Sequence, residues 1–138
     1  MKTNALLIVI LAAATTLITG CQTTPGGREK LSSWQSKISG EYKGSIFSGG
    51  EEYPATTAFK ADGDKVSGTY SLDVYGTEYS GVLSEFSITS DRQLKCRWRD
   101  NENRTGNLST IFSPDLSDFE GKWDADDGNG DGQWNGKK

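Results

Sequence analysis

The chain contains no histidine. That absence removes Ser-His-Asp and Cys-His nucleophiles, His-ligated zinc and the commonest general base in one step. Cysteine is almost as scarce, with only Cys21 and Cys96, and proline occurs three times. Basic residues are outnumbered, fifteen Lys+Arg against nineteen Asp+Glu. An acidic balance argues against nucleic acid or an anionic membrane surface as partner, because both demand a basic face. Long apolar runs are missing too. The longest is Ala5–Ala14, ten residues behind the single charge of Lys2, far below the roughly 18 that a spanning helix needs. A charged start followed by a short apolar stretch has the form of a secretory signal.

The end of that stretch is more specific. Leu17-Ile18-Thr19-Gly20-Cys21 resembles the lipobox of bacterial lipoprotein precursors. The resemblance implies cleavage after Gly20, a diacylglycerol on the Cys21 thiol, acylation of the new amino group, and attachment to the membrane through that N-terminal lipid. Two or three acyl chains make a durable anchor where one holds only marginally. Gln22 follows the cysteine, and by the same analogy favours the outer membrane over the inner. Cleavage would leave 118 of the 138 residues and remove one lysine, taking the net charge from −4 to −5. One domain is expected at that length.

Residues 22–33, "QTTPGGREKLSS", have the composition of a flexible linker with a reach of about 20 Å. Expected organisation is therefore a signal peptide over 1–20, lipidated cysteine and linker over 21–33, and a folded domain over 34–138. Leu31, Trp34 and Ile38 fall at helical spacing, which predicts a short helical turn with Trp34 plugging the sheet that follows.

From Gly40 onward the hydrophobic period is two. Tyr42 and Ile46 share one side of their run, as do Tyr53, Ala55, Thr57 and Phe59 in the next, then Val66, Tyr70 and Leu72. Tyr79 with Leu83, Leu94 with Cys96 and Trp98, Leu108 with Thr110 and Phe112, Phe119 with Trp123, and finally Trp134 continue the pattern. Eight short runs of about 5–8 residues with one wetted face each, separated by turn signals, predict an all-β fold of antiparallel strands. No connection is long enough for a crossover helix, so an up-and-down barrel is expected, because closure removes exposed edges. Glycines recur on the apolar phase at 44, 68, 81, 106, 121 and 136; there they mark bends or make room for a neighbour's ring. The run "GEYKG" after Trp34 is similar to the first strand of calycin-type barrels (lipocalins and avidins), with Tyr42 where those have tryptophan. "FEGKW" and "GQWNGK" look like the Gly-x-Trp hairpins of small bacterial β-domains. The calycin resemblance implies a carrier of a small apolar ligand, against which eight aromatic rings, Tyr79 and Trp123 among them, suffice to fill a narrow lumen.

Candidate chemistry is sparse. Glu51-Glu52 and Asp124, Asp126 and Asp127 lie in turns, where nothing shields a catalytic carboxylate pair. Cys96 shares a phase with Leu94 and Trp98, as a small buried hydrophobe does; an intermolecular disulfide is the alternative. "DGNGDG", Asp127 to Gly132, places Asp127, Asn129 and Asp131 at EF-hand calcium spacing, although the twelfth position is Lys138 rather than glutamate and a polar hairpin tip wants the same residues. Lys95, Arg97, Arg99 and Arg104 form one basic stripe, a solvated face or a docking surface for an envelope protein or polysaccharide. The expected function is a non-enzymatic envelope lipoprotein that binds a protein or envelope component without a cofactor. A lipocalin-like carrier and a calcium-binding surface module are the alternatives.

Overall fold

The computed structural model describes residues 34–138. The signal segment, Cys21 and the linker lie outside the described residues. A single 3-10 turn, Gln35–Lys37, precedes eight strands: β1 (Gly40–Ser48), β2 (Glu51–Asp62), β3 (Lys65–Val74), β4 (Thr77–Ser90), β5 (Gln93–Asp100), β6 (Thr105–Phe112), β7 (Asp118–Ala125) and β8 (Asp131–Lys137). Each strand pairs antiparallel with the next, and β1 with β8, so the sheet closes into an up-and-down barrel. Among the described residues no helix is long and apolar enough to cross a membrane.

Inward positions follow the period-two pattern. On β5 the buried residues are Leu94, Cys96, Trp98 and Asp100, and on β6 Gly106, Leu108, Thr110 and Phe112. Strand lengths differ from expectation, because β2, β3 and β4 run to 12, 10 and 14 residues. On β4 the register against β5 shifts between Ser84 and Ser87, and Glu85 has φ +52°. The extra residues of this bulge break the alternation, so Leu83 and Phe86 both reach the core three positions apart. A bulge of this kind bends a strand without ending it, which is why periodicity lost the strand after Leu83. Between β1 and β2 the two-residue loop Gly49-Gly50 has φ +62° and +91°, the left-handed geometry that hairpin turns demand.

The barrel has two unlike ends. At the end where the chain enters, Tyr42, Phe59, Phe112 and Phe119 meet edge-on or tilted, with ring centroids 5.5–5.8 Å apart. Such contacts add to the burial term of each ring. Trp34 packs on Phe112 at 6.1 Å, and Ile38 and Leu116 complete the seal. The Tyr42 hydroxyl lies 3.1 Å from the Ile38 carbonyl and 3.0 Å from the Leu116 carbonyl, so one proton ties the entering segment and the β6–β7 loop to β1. Burial, reinforced by Asp118, pushes this phenol up to about 12.

Thr110 is the exception in the core: its Oγ1 is buried without a hydrogen-bond partner among the described residues. A buried hydroxyl left unpaired loses its hydration without compensation. Thr110→Val keeps the shape and removes the orphan, so a gain of about 1 kcal/mol is expected in urea denaturation. A loss of stability would mean that the hydroxyl has a partner.

Candidate functional site

At the other end, four hairpins (β1–β2, β3–β4, β5–β6 and β7–β8) surround a cup of about 350 Å³. Its walls are the inward positions nearest those turns. Ile46 comes from β1, Tyr70, Leu72 and Val74 from β3, Trp98 from β5, and Trp123 and Ala125 from β7. Trp134 of β8 lies in the floor, with Tyr53 and Tyr79 toward the mouth. Polar residues of the β5–β6 and β7–β8 turns form the rim: Asp100, Glu102, Arg104, Asp127 and Asn129.

The rings are locked in place by their own polar handles. The Trp98 indole donates to the Asp124 carbonyl at 3.1 Å, Trp123 to the Phe47 carbonyl at 3.0 Å, and Trp134 to Thr57 Oγ1 at 2.8 Å. Trp98 meets Trp123 edge-on at 5.8 Å, and Tyr70 meets Trp134 at 4.7 Å. A glycine makes the space for two of them. A Cβ on Gly106 would lie 2.6 Å from the Trp98 ring, and one on Gly81 equally close to Tyr70. The sequence pattern of glycine opposite aromatic is thus the device that shapes this cavity. Tyr70 is 7% exposed. Its hydroxyl makes none of the hydrogen bonds among the described residues, and burial with Asp100 nearby raises its pKa, so it keeps its proton.

Asp100 organises the rim. Its side chain is 5% exposed and accepts from the Glu102 and Arg104 backbone N–H groups at 3.0 and 2.8 Å and from Arg104 Nε at 2.7 Å. Across the mouth, Glu51 accepts from the hydroxyls of Tyr53, at 3.0 Å, and Tyr75. Those donors, Tyr75 first, lower the Glu51 pKa.

The turn carboxylates singled out in the sequence are dispersed and committed. Glu52 accepts from Ser45 while Glu51 serves the tyrosines. Asp124 accepts from Asn107 Nδ2 at 2.8 Å, and Asp126 holds Arg97 through both oxygens (Nη1 to Oδ1 2.8 Å) and Thr105. Arg97, followed by Thr105, draws the Asp126 carboxyl down to about 2. A carboxyl depressed on folding stabilises the fold above its unfolded value near 3.8 and loses that contribution as pH falls through about 2. Thermal melts between about pH 5 and pH 2 should therefore show a steeper acid loss for the native protein than for Asp126→Asn. Parallel curves would mean that the pair contributes nothing.

The calcium-spaced residues separate. Asp127 and Asn129 line the cup, and Asp127 Oδ1 accepts the Asn129 backbone N–H at 2.9 Å as an ordinary turn does. Asp131 begins β8 and lines an outer groove with Phe47 and Trp123. No cluster of three or more His, Cys, Asp or Glu side chains suited to a metal occurs among the described residues. The basic stripe is likewise divided. Lys95 and Arg99 line two different outer depressions, Arg97 is held by Asp126 and Asn107, and Arg104 belongs to the cup rim. Cys96 is free and buried, and burial pushes its thiol up to about 12, far from a reactive thiolate.

The cup itself escaped the sequence reading, in which eight of the large rings suffice to fill a narrow lumen. Half of that holds: phenylalanines and Tyr42 fill the closed end, whereas Tyr79 and Trp123 are only half-buried beside the cavity. Ring chemistry separates the two ends only in part: Phe59, Phe112 and Phe119 lie toward the closed end together with Tyr42 and Trp34, while the remaining tryptophans line the cup, where one edge can meet water. No protein-family model matches the chain, and comparison with curated proteins finds no significant match.

Proposed function

We propose that this chain is a non-enzymatic lipoprotein of the bacterial cell envelope, anchored through Cys21, whose barrel holds a small ligand in the aromatic cup. One observation carries the reading: the chain enters at the sealed end, beside Trp34 and Leu116, and the cup opens at the opposite end. An anchor ahead of Trp34 then joins the barrel at the end opposite the mouth, and about 20 Å of linker leaves the mouth clear of the lipid. Gln22 favours the outer membrane as the attachment site. The cup is concave, largely apolar and held rigid by three indole hydrogen bonds, as small-molecule sites are. Its volume of about 350 Å³ is at the small end of the usual range. Docking of an envelope protein or polysaccharide on the outer faces has less support, because the basic stripe is split and Arg97 is already paired. Catalysis has little to stand on without histidine and with the turn carboxylates committed.

Two arms test this. Cys21→Ala should move the protein from the membrane fraction to the soluble one, and phenethyl alcohol should shift the tryptophan emission saturably. Ala125→Phe, which fills the cup, should abolish that shift while keeping a cooperative melt. Membrane retention of Cys21→Ala contradicts the anchor; an undiminished shift in Ala125→Phe contradicts the cup.

A further inference from the structure

We infer that the occupant of the cup is a small organic ammonium ion, a cationic nitrogen carried on a short apolar or aromatic body. This rests on the cup being the binding site. Because Trp98, Trp123 and Trp134 each spend their indole N–H on a protein oxygen, they offer the cavity no donor, and the half-buried Trp123 supplies most of the accessible indole face beside the nearly enclosed Trp98 and Trp134. Aromatic faces carry the negative end of the ring quadrupole and attract cations, tryptophan most strongly.

The rim has the same preference. Three carboxylates (Asp100, Glu102 and Asp127) line the cup against one guanidinium, Arg104. Arg104 Nε is engaged by Asp100 at 2.7 Å and lies 3.6 Å from Glu102, so an arriving cation meets a net negative mouth. Low-dielectric walls focus such a field. On the cup wall beside Asp100, the Tyr70 hydroxyl belongs to a side chain more than nine-tenths buried and has no hydrogen-bond partner among the described residues. Its oxygen can accept an ammonium N–H.

Other ligand classes fit less well. A carboxylate or phosphate would face the acidic rim with its only cation already neutralised. A sugar stacks on tryptophan but needs many donors and acceptors around its ring, and the indole donors here are spent.

The test compares phenethylammonium, phenethyl alcohol and phenylacetate, which share one body and differ in charge, by calorimetric titration of the full chain. Phenethylammonium should bind at least about tenfold more tightly than the alcohol, phenylacetate should bind weakest, and added salt should weaken the ammonium alone. Glu102→Gln with Asp127→Asn, both turn residues on the surface, should narrow the ammonium-to-alcohol ratio to about threefold or less. A ratio near one, or a ratio that survives the double substitution, overturns the ammonium inference and leaves the cup standing. Failure of all three probes to bind overturns the cup reading itself.

Discussion

Gly44→Ala should cost at least about 3 kcal/mol and abolish cooperative unfolding of the closed barrel, the upper range for forcing an extra methyl against packed atoms. A Cβ at Gly44 would lie 2.1 Å from the Asn135 carbonyl oxygen and 2.8 Å from the Gly136 Cα. Both are backbone atoms of β8, so no side-chain rotation relieves the collision. Relief requires β8 to move away, and the seam has no reserve. β1 and β8 share four paired positions, Lys43–Ile46, where β1 and β2 share nine. Losing this seam exposes two strand edges, which invites association between chains. Hydrogen exchange should show the β1 and β8 amides losing protection first. Lys43→Ala, an exposed neighbour on the same strand, should change stability by no more than about 0.5 kcal/mol. A Gly44→Ala barrel as stable as the native one would mean that the seam is looser than the register implies.

Tyr42→Ala is expected to destabilise by about 4 kcal/mol, the cost of deleting a large buried ring. The ring contacts Phe59, Phe112 and Phe119 at once and is fully buried. Tyr42→Phe separates the two contributions, because it keeps the ring and leaves the Ile38 and Leu116 carbonyls without their shared donor. That smaller loss should be about 1–2 kcal/mol. Since the phenol ties down the segment beside Trp34, both variants should also shift the Trp34 emission. Urea denaturation of the pair checks the partition; equal losses would assign all of the stabilisation to the hydroxyl.

These residues also show how far the sequence could be read. The barrel was legible because alternation is a one-dimensional record of which side of a sheet each residue faces, and the turn runs Ala61–Asp64, Val74–Thr77, Asp100–Asn103 and Asp124–Asp131 all fall at observed hairpins. Even the glycines opposite rings were legible as a pattern, with Gly106 beneath Trp98 and Gly81 beneath Tyr70. The bulge at Glu85 was not, since an inserted residue shifts the phase without leaving a composition mark. Nor was the cup. Whether inward rings meet across the axis or leave a gap depends on their height along the barrel, which is set by strand stagger, and the sequence carries that only indirectly. Asp127, Asn129 and Arg104 were noticed for calcium and for a basic stripe; their common position at the cup rim arises from two separate hairpins.

The division of labour between the two ends is what the proposed binding role requires. Rings without polar handles and one shared tyrosine proton close the end next to the chain's approach, while rings pinned by indole hydrogen bonds keep the far end open. A cavity braced in this way has little conformational entropy left to lose when a ligand arrives.

The chain's own tryptophans provide the sharpest test, because three of the four line the cup and Trp34 sits at the sealed end. Indole resonances of isotope-labelled protein should be followed while phenethylammonium is added to saturation. The Trp98, Trp123 and Trp134 signals should move together along one binding curve while the Trp34 signal stays in place. Four signals that stay in place with phenethylammonium, phenethyl alcohol and phenylacetate alike, or a curve in which Trp34 moves with the rest, would contradict a ligand site in the open end of this barrel.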